Sequence, residues 1–252
     1  MSIINLYKKF LIINKLGWIK SMRKGYTGLG YTFEYLLGKK EDSLPLPDFG
    51  NIEIKTVRYN SRKKIHLFSI MPDGDSIFPT NILDKLGYPD KTYKNIKVFN
   101  MDFNTINYTP IGLYKMGKII VDSKNEKIDF IAVDYLGNNL NIKTSWSFKM
   151  LKERLFLKLK KLVIIESLSK EQNNNEYYYY KKINYYILKD FDTFIKLIEE
   201  GTINIGIKIS FHKDKENFGK IKTRGTIFSI CLNDIEKLYN RIPLELFEYQ
   251  LI

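Results

Sequence analysis

Cysteine is almost missing from this chain: of 252 residues only Cys231 is one, so no internal disulfide can staple the fold. A lone thiol fits a reducing compartment, and its place in the strand-like run 226–232 reads as a buried side chain rather than a nucleophile. Long apolar runs are missing as well. The stretch Phe10-Leu11-Ile12-Ile13 is far shorter than the core of a secretory signal, and nothing approaches the ~20 apolar residues of a membrane span. A soluble, cytoplasmic protein without membrane association is expected. There is no internal repeat and no long low-complexity linker. Acidic residues are in deficit: 28 Asp and Glu face 41 Lys and Arg, leaving a net charge of +13 and a pI near 9.4. That excess favours a polyanionic partner, either nucleic acid or an anionic membrane surface, with nucleic acid ahead of a bland basic surface, although solvated lysine faces also enrich Lys. The length suffices for a large core in one domain, and two lobes fit equally well.

Patterning along the chain mixes helices and strands. Residues 3–22 carry Leu6, Phe10, Ile13, Leu16, Ile19 and Met22 at helical spacing, with Gly17 a weak point. Gly25, Gly28 and Gly30 then break the pattern in a form that matches neither common nucleotide fingerprint, so close backbone approach, DNA included, is the better reading. Thr32 is a candidate cap for a helix bearing Phe33, Leu36 and Leu37 and ending at Gly38. A loop with Pro45 and Pro47 leads to an alternating strand over 51–56. Further strands are expected over 63–71 and 96–103, a turn at 72–75, a short helix over 81–86 and a hairpin over 116–135. A helix is expected over 146–162, ending in the buried strand Leu162-Val163-Ile164-Ile165. The tyrosine-rich run 177–188 reads as half-buried sheet in preference to a base-stacking platform. Asp190 caps a helix to Glu200, and strands 204–211 and 226–232 pair across a long basic loop, 212–225. A last helix starts near Asp234. The class is α/β (α+β), a mixed sheet flanked by helices.

The chemistry concentrates in 28–56. On a strand Glu53 and Lys55, two apart, share a face, and Asp48 in the turn-prone Pro47-Asp48-Phe49-Gly50 can fold back over it. Pro-Asp followed by Glu-x-Lys suits a metal-dependent phosphodiesterase. Mg²⁺ needs only one or two carboxylates beside water and phosphate oxygens, which Asp48, Glu53 and the carbonyl of Ile54 can supply. Lys55 would orient the attacking water or steady the charged phosphorus, and Glu34 would complete the acidic cluster from the preceding helix. The same pattern also suits a solvated Glu–Lys ladder with no chemistry at all.

The string Gly28-Leu29-Gly30-Tyr31-Thr32-Phe33-Glu34-Tyr35-Leu36-Leu37-Gly38, with Pro47-Asp48 and Ile52-Glu53-Ile54-Lys55-Thr56, resembles the catalytic segment of the MvaI/BcnI restriction endonucleases. These belong to the MutH-related branch of the PD-(D/E)xK nucleases. The resemblance implies Glu34, Asp48, Glu53 and Lys55 as the active site. It further implies a restriction-endonuclease-like fold with a catalytic lobe near 1–110 and a recognition lobe near 111–252, forming a cleft for double-stranded DNA. The expected activity is type II restriction cleavage with Mg²⁺, Mn²⁺ substituting, at a short near-palindromic site of the CCNGG kind, leaving 5′-phosphate and 3′-hydroxyl ends. A MutH-like nicking enzyme for a GATC-like site, or a non-cleaving DNA-binding module, are the alternatives. A monomer with a cognate DNA methyltransferase in the host is implied too. In 204–232 the likeness points to Arg224 as a guanine contact, with His212, Lys213 and Lys222 beside it. Arg58 and His66, just past the catalytic strand, are further candidates for the DNA groove.

Overall fold

The computed structural model describes residues 2–39, 46–60, 64–74 and 77–245, the side chain of Arg224 excepted. Residue 63, Pro45 and Asp75, assigned above to a strand, a loop and a turn, lie outside the described residues. In chain order come α1 (Ile3–Lys15), β1 (Ile19–Lys20), α2 (Gly28–Leu36), β2 (Glu53–Arg58), β3 (Lys64–Ile70), α3 (Thr80–Leu86), β4 (Tyr88–Pro89) and β5 (Lys97–Phe103). Next are β6 (Thr109–Ile111), β7 (Lys115–Asp122), β8 (Lys127–Asp134), β9 (Thr144–Ser147), α4 (Phe148–Leu159), β10 (Lys161–Gln172) and β11 (Asn175–Leu188). The chain closes with α5 (Phe191–Glu199), β12 (Ile203–Phe211), β13 (Ile221–Cys231), α6 (Ile235–Leu238) and β14 (Tyr239–Ile242). Two compact units interleave along the sequence: Met1–Lys63, Leu155–Lys189 and Glu236–Ile252 form the first, Lys64–Arg154 and Asp190–Ile235 the second. Neither coincides with the span 1–110 or 111–252.

The first unit is built on a mixed sheet ordered β1-β11-β10-β2, with β14 also on β11. Its centre is β10, whose Leu162, Val163, Ile164 and Ile165 are all fully buried, as an apolar run covered on both faces requires. β10 runs parallel to β2, with Leu162 opposite Glu53 and Ile164 opposite Lys55. Leu6, Phe10 and Ile13 of α1 and Leu29 and Phe33 of α2 cover one face, against Ile54, Val163, Tyr178 and Tyr180. The helix expected over 3–22 stops at Lys15, because Gly17 turns left-handed (φ 69°) and frees Ile19 and Lys20 to pair with β11. The tyrosines are half-buried sheet: Tyr178 and Tyr180 are buried, Tyr177 and Tyr179 partly exposed, and the Tyr180 hydroxyl donates to the Leu29 carbonyl at 2.9 Å. Asn173 and Asn174, both at positive φ (51° and 56°), make the tight turn between β10 and β11.

The second unit holds a sheet ordered β3-β13-β12-β5-β4 and an antiparallel sheet β6-β7-β8-β9. Phe68, Phe194 and Phe228 pack together, and Trp146 meets Phe228 edge-on. Trp146 thus belongs to β9, not to a helix; α4 begins at Phe148, because this large ring is buried by sheet pairing with Ile128. On β3 the in–out alternation of a regular strand is broken: a register shift opposite Phe228 and Ser229 lets both Leu67 and Phe68 be buried. The basic loop is shorter than expected, since Ile221 to Gly225 already lie in β13. The last helix is one turn, and the chain then returns to the first sheet as β14.

Candidate active site

The site grows from both ends of α2. At its start a β-carbon on Gly28 would fall 2.5 Å from the Arg23 carbonyl and 2.7 Å from the Tyr178 hydroxyl, so what the glycine segment approaches closely is the chain itself. Thr32 is no cap. It is buried inside the helix, and its hydroxyl accepts from the Met22 amide at 3.0 Å, while Thr27 holds the cap position without a side-chain bond. At the other end Gly38 (φ 80°) reverses the chain and Lys39 N–H donates to the Glu34 carbonyl at 3.0 Å.

Asp48 is delivered by a tight turn. Phe49 and Ile52 exchange backbone hydrogen bonds of 2.9 and 3.1 Å around Gly50 (φ 64°). The turn brings Asp48 to the edge of β2, where Oδ2 accepts from Ile54 N–H at 3.0 Å. The N–H and C=O of one strand residue point to the same edge, so the Ile54 carbonyl also faces away from β10. Glu53 and Lys55 share a face as their spacing predicts, with Nζ of Lys55 2.6 Å from Oε1 of Glu53.

Two lysines that the sequence reading passed over complete the arrangement. Lys39 Nζ lies 2.6 Å from Asp48 Oδ1 and 3.9 Å from Glu34 Oε2. Lys158, from the end of α4, lies 3.4 Å from Glu53 Oε1. Lys39 had a local signal, a cation directly after the C-terminal glycine of α2; Lys158 had none, since only the pairing of β10 with β2 brings α4 there. Glu34, Lys39, Asp48, Glu53, Ile54, Lys55 and Lys158 all line one cleft of about 460 Å³ within the first unit.

Burial and mutual repulsion act on the acids unequally. Burial, then Asp48, pushes the Glu34 carboxyl above the ordinary glutamate value. Burial also raises Glu53, partly offset by Lys55. For Asp48 burial works upward, but hydrogen bonds from Lys39 and the Ile54 amide outweigh it and hold the carboxyl below the ordinary aspartate value. Among the described residues no group of three or more His, Cys, Asp and Glu is set to hold a metal. A hard divalent ion that keeps several waters needs fewer, however, and one atom fits it specifically. Among the described residues Oε2 of Glu53 has no hydrogen-bond partner, an expensive arrangement for a buried ionised oxygen unless a cation faces it or a proton neutralises it. With Asp48 and the Ile54 carbonyl beside it, the donor set is all oxygen, as such an ion requires.

The residues proposed for DNA divide between the units. Arg58 is on β2 but ion-paired with Glu176, and its Nε donates to Ser169 Oγ at 3.1 Å. His66 is exposed on β3 of the second unit. His212 Nδ1 is 3.3 Å from Asp214, and Lys213 Nζ lies 5.7 Å from the Phe211 ring centre. Lys222 lines a hollow of about 230 Å³ with Lys208, Ser210, Thr223, Gly225 and Ile227. Arg224 lies on β13 between Thr223 and Gly225, and its side chain is outside the described residues.

The profile of the MvaI/BcnI restriction endonuclease family matches residues 7–239. Among solved structures, the complex of restriction endonuclease MvaI with its cognate DNA substrate is similar at a TM-score of 0.87 and 28% identity, covering 96% of this chain and 98% of that one. MvaI in the absence of DNA is similar at a TM-score of 0.62 and 27% identity, again over 96% and 98%. Comparison with curated proteins gives no match. With a profile spanning nearly its whole length and a solved relative sharing its fold from end to end, the chain belongs to the MvaI/BcnI restriction endonuclease family and is a type II, site-specific deoxyribonuclease.

Proposed function

We propose that the cleft hydrolyses phosphodiester bonds of double-stranded DNA with Mg²⁺, Mn²⁺ substituting, held by Asp48, Glu53 and the Ile54 carbonyl. The observation that carries this is the convergence of Glu34, Asp48, Glu53 and Lys55 on one cleft, with a Glu53 oxygen buried and unpartnered. A bound ion there supplies Lewis acidity and offsets the charge that develops at phosphorus. Lys55 orients the attacking water from the face it shares with Glu53, and Lys158 and Lys55 together hold Oε1 so that Oε2 points inward. Glu34 adds negative charge at the cleft wall. In-line attack forms a bond from water oxygen to phosphorus and breaks the bond to the 3′ oxygen, leaving a 5′-phosphate and a 3′-hydroxyl.

The similar MvaI structure is a complex with its cognate DNA substrate, which supports duplex DNA as this chain's partner. The family supports a short near-palindromic target of the CCNGG kind, a monomeric enzyme and a protecting methyltransferase in the host. The first unit holds the catalytic cleft; the second would read bases, with Arg224, Lys222, Lys213, His212 and His66 on or beside its strands. Arg58 would act on the backbone beside the cleft.

The test is digestion of plasmid and phage DNA in Mg²⁺, followed by sequencing of the product ends. Discrete fragments with 5′-phosphate ends are expected, and their termini report the site. Products that stop at the open circle would instead indicate strand nicking at a GATC-like or other site. Uncut DNA in both Mg²⁺ and Mn²⁺ across diverse substrates would overturn the cleavage reading in favour of a binding module.

A further inference from the structure

Among the described residues, three lysines of the cleft hold their carboxylates in inequivalent ways. Lys55 and Lys158 both approach Oε1 of Glu53, at 2.6 and 3.4 Å, and leave Oε2 without a partner. Oε2 is thus the Glu53 oxygen that neither lysine holds. Asp48 has a partner on each oxygen. Its Oδ2 is taken by the Ile54 amide at 3.0 Å and its Oδ1 by Lys39 at 2.6 Å. The backbone hydrogen bond of Ile54 belongs to the turn that positions Asp48 and cannot be given up cheaply. The Lys39 side chain is a flexible chain on the reversed end of α2, about one-fifth exposed, and its ammonium also stands 3.9 Å from Glu34. It is the removable partner.

We propose that Lys39 is the resident counter-ion of the Asp48 oxygen, displaced when a divalent cation binds, and that it thereby sets the ion concentration the enzyme needs. The proposal rests on the reading of Asp48 as a metal ligand. A divalent ion on Oδ1 would stand within a few ångströms of the Lys39 ammonium, and at an effective dielectric near that of a protein surface their repulsion is large compared with thermal energy. Removing the ammonium leaves Asp48, Glu34 and Glu53 more negative as a group, so divalent affinity rises.

The test is Mn²⁺ binding to the DNA-free protein, followed through the spin-resonance signal of free Mn²⁺, for the wild type and for Lys39→Met, Lys39→Arg and Asp48→Asn. Lys39→Met is expected to bind on the order of tenfold more tightly. Lys39→Arg, which keeps the charge, should stay close to wild type, and Asp48→Asn should lose the site. Thermal unfolding checks each fold, with Lys39→Gln replacing the Met variant if that one fails to fold. Unchanged or weaker binding in the neutral variants, with Asp48→Asn still abolishing the site, would overturn the counter-ion role and leave the metal reading standing. Binding by Asp48→Asn equal to wild type would remove Asp48 from the metal site, and the counter-ion role with it.

Discussion

Lys55 carries no backbone duty in the turn that holds Asp48, so Lys55→Ala is expected to bind duplex DNA with near-normal affinity and to cut it slower by about 10²–10³-fold. Single-turnover cleavage beside a Ca²⁺ gel-shift titration separates the two effects. The acids make a pH prediction. Glu53 and Glu34 are both pushed above the glutamate reference of 4.5, mainly by burial, so in the folded protein they hold protons to a higher pH than they do unfolded. Their contribution to stability is present below that reference and is lost as pH rises through the shifted values. Asp48, lowered from 3.8, contributes in the opposite sense: stability present above 3.8 and lost on further acidification. The melting-temperature gain from adding Mg²⁺ should therefore grow with pH above the glutamate reference, as calorimetry with EDTA and with Mg²⁺ would show. A gain independent of pH would speak against Glu53 as a ligand. Lys158→Ala should lower the cleavage rate without abolishing it, since Lys55 still holds Oε1.

At the level of elements, α2 is fixed by how closely its first residue meets the chain around it. Gly28→Ala is expected to destabilise the protein by about 1–3 kcal/mol, because the added carbon meets a backbone oxygen that cannot move aside. Chemical denaturation gives the value directly. Asp190→Ala should cost about 1 kcal/mol, the loss of the side-chain bond to Thr193 N–H at 2.6 Å that starts α5. The elements themselves were largely readable from period: the strands over 96–103 and 204–211, the hairpin over 116–135 and the cap at Asp190 stand where alternation and turn residues place them, and the strand expected over 51–56 runs two residues later, Glu53–Arg58. The misreadings share a cause. The apolar spacing of 3–22 continues past Gly17, and that of 146–162 begins at Trp146, because a strand's buried residues also satisfy a helical period over a few positions. Only pairing partners, β11 for Ile19 and β8 for Trp146, decide between them.

For the whole molecule, the charge of +13 predicts DNA binding that weakens steeply with salt. Affinity for a duplex carrying the site should fall by orders of magnitude between about 50 and 200 mM salt, and a flat dependence in filter binding would count against phosphate neutralisation as the main term. The interleaving of the two units was not readable, because contacts between distant segments create it and no linker composition marks the crossings. By itself the sequence determined that Asp48, Glu53 and Lys55 stand together. A strand's period of two and a single tight turn fix their geometry within a few residues. Tertiary structure decided what that cluster meets. The parallel pairing of β10 with β2 leaves β2 at a sheet edge, buries one Glu53 oxygen without a partner and carries Lys158 to the other, and no local rule reaches across the hundred or so residues between them.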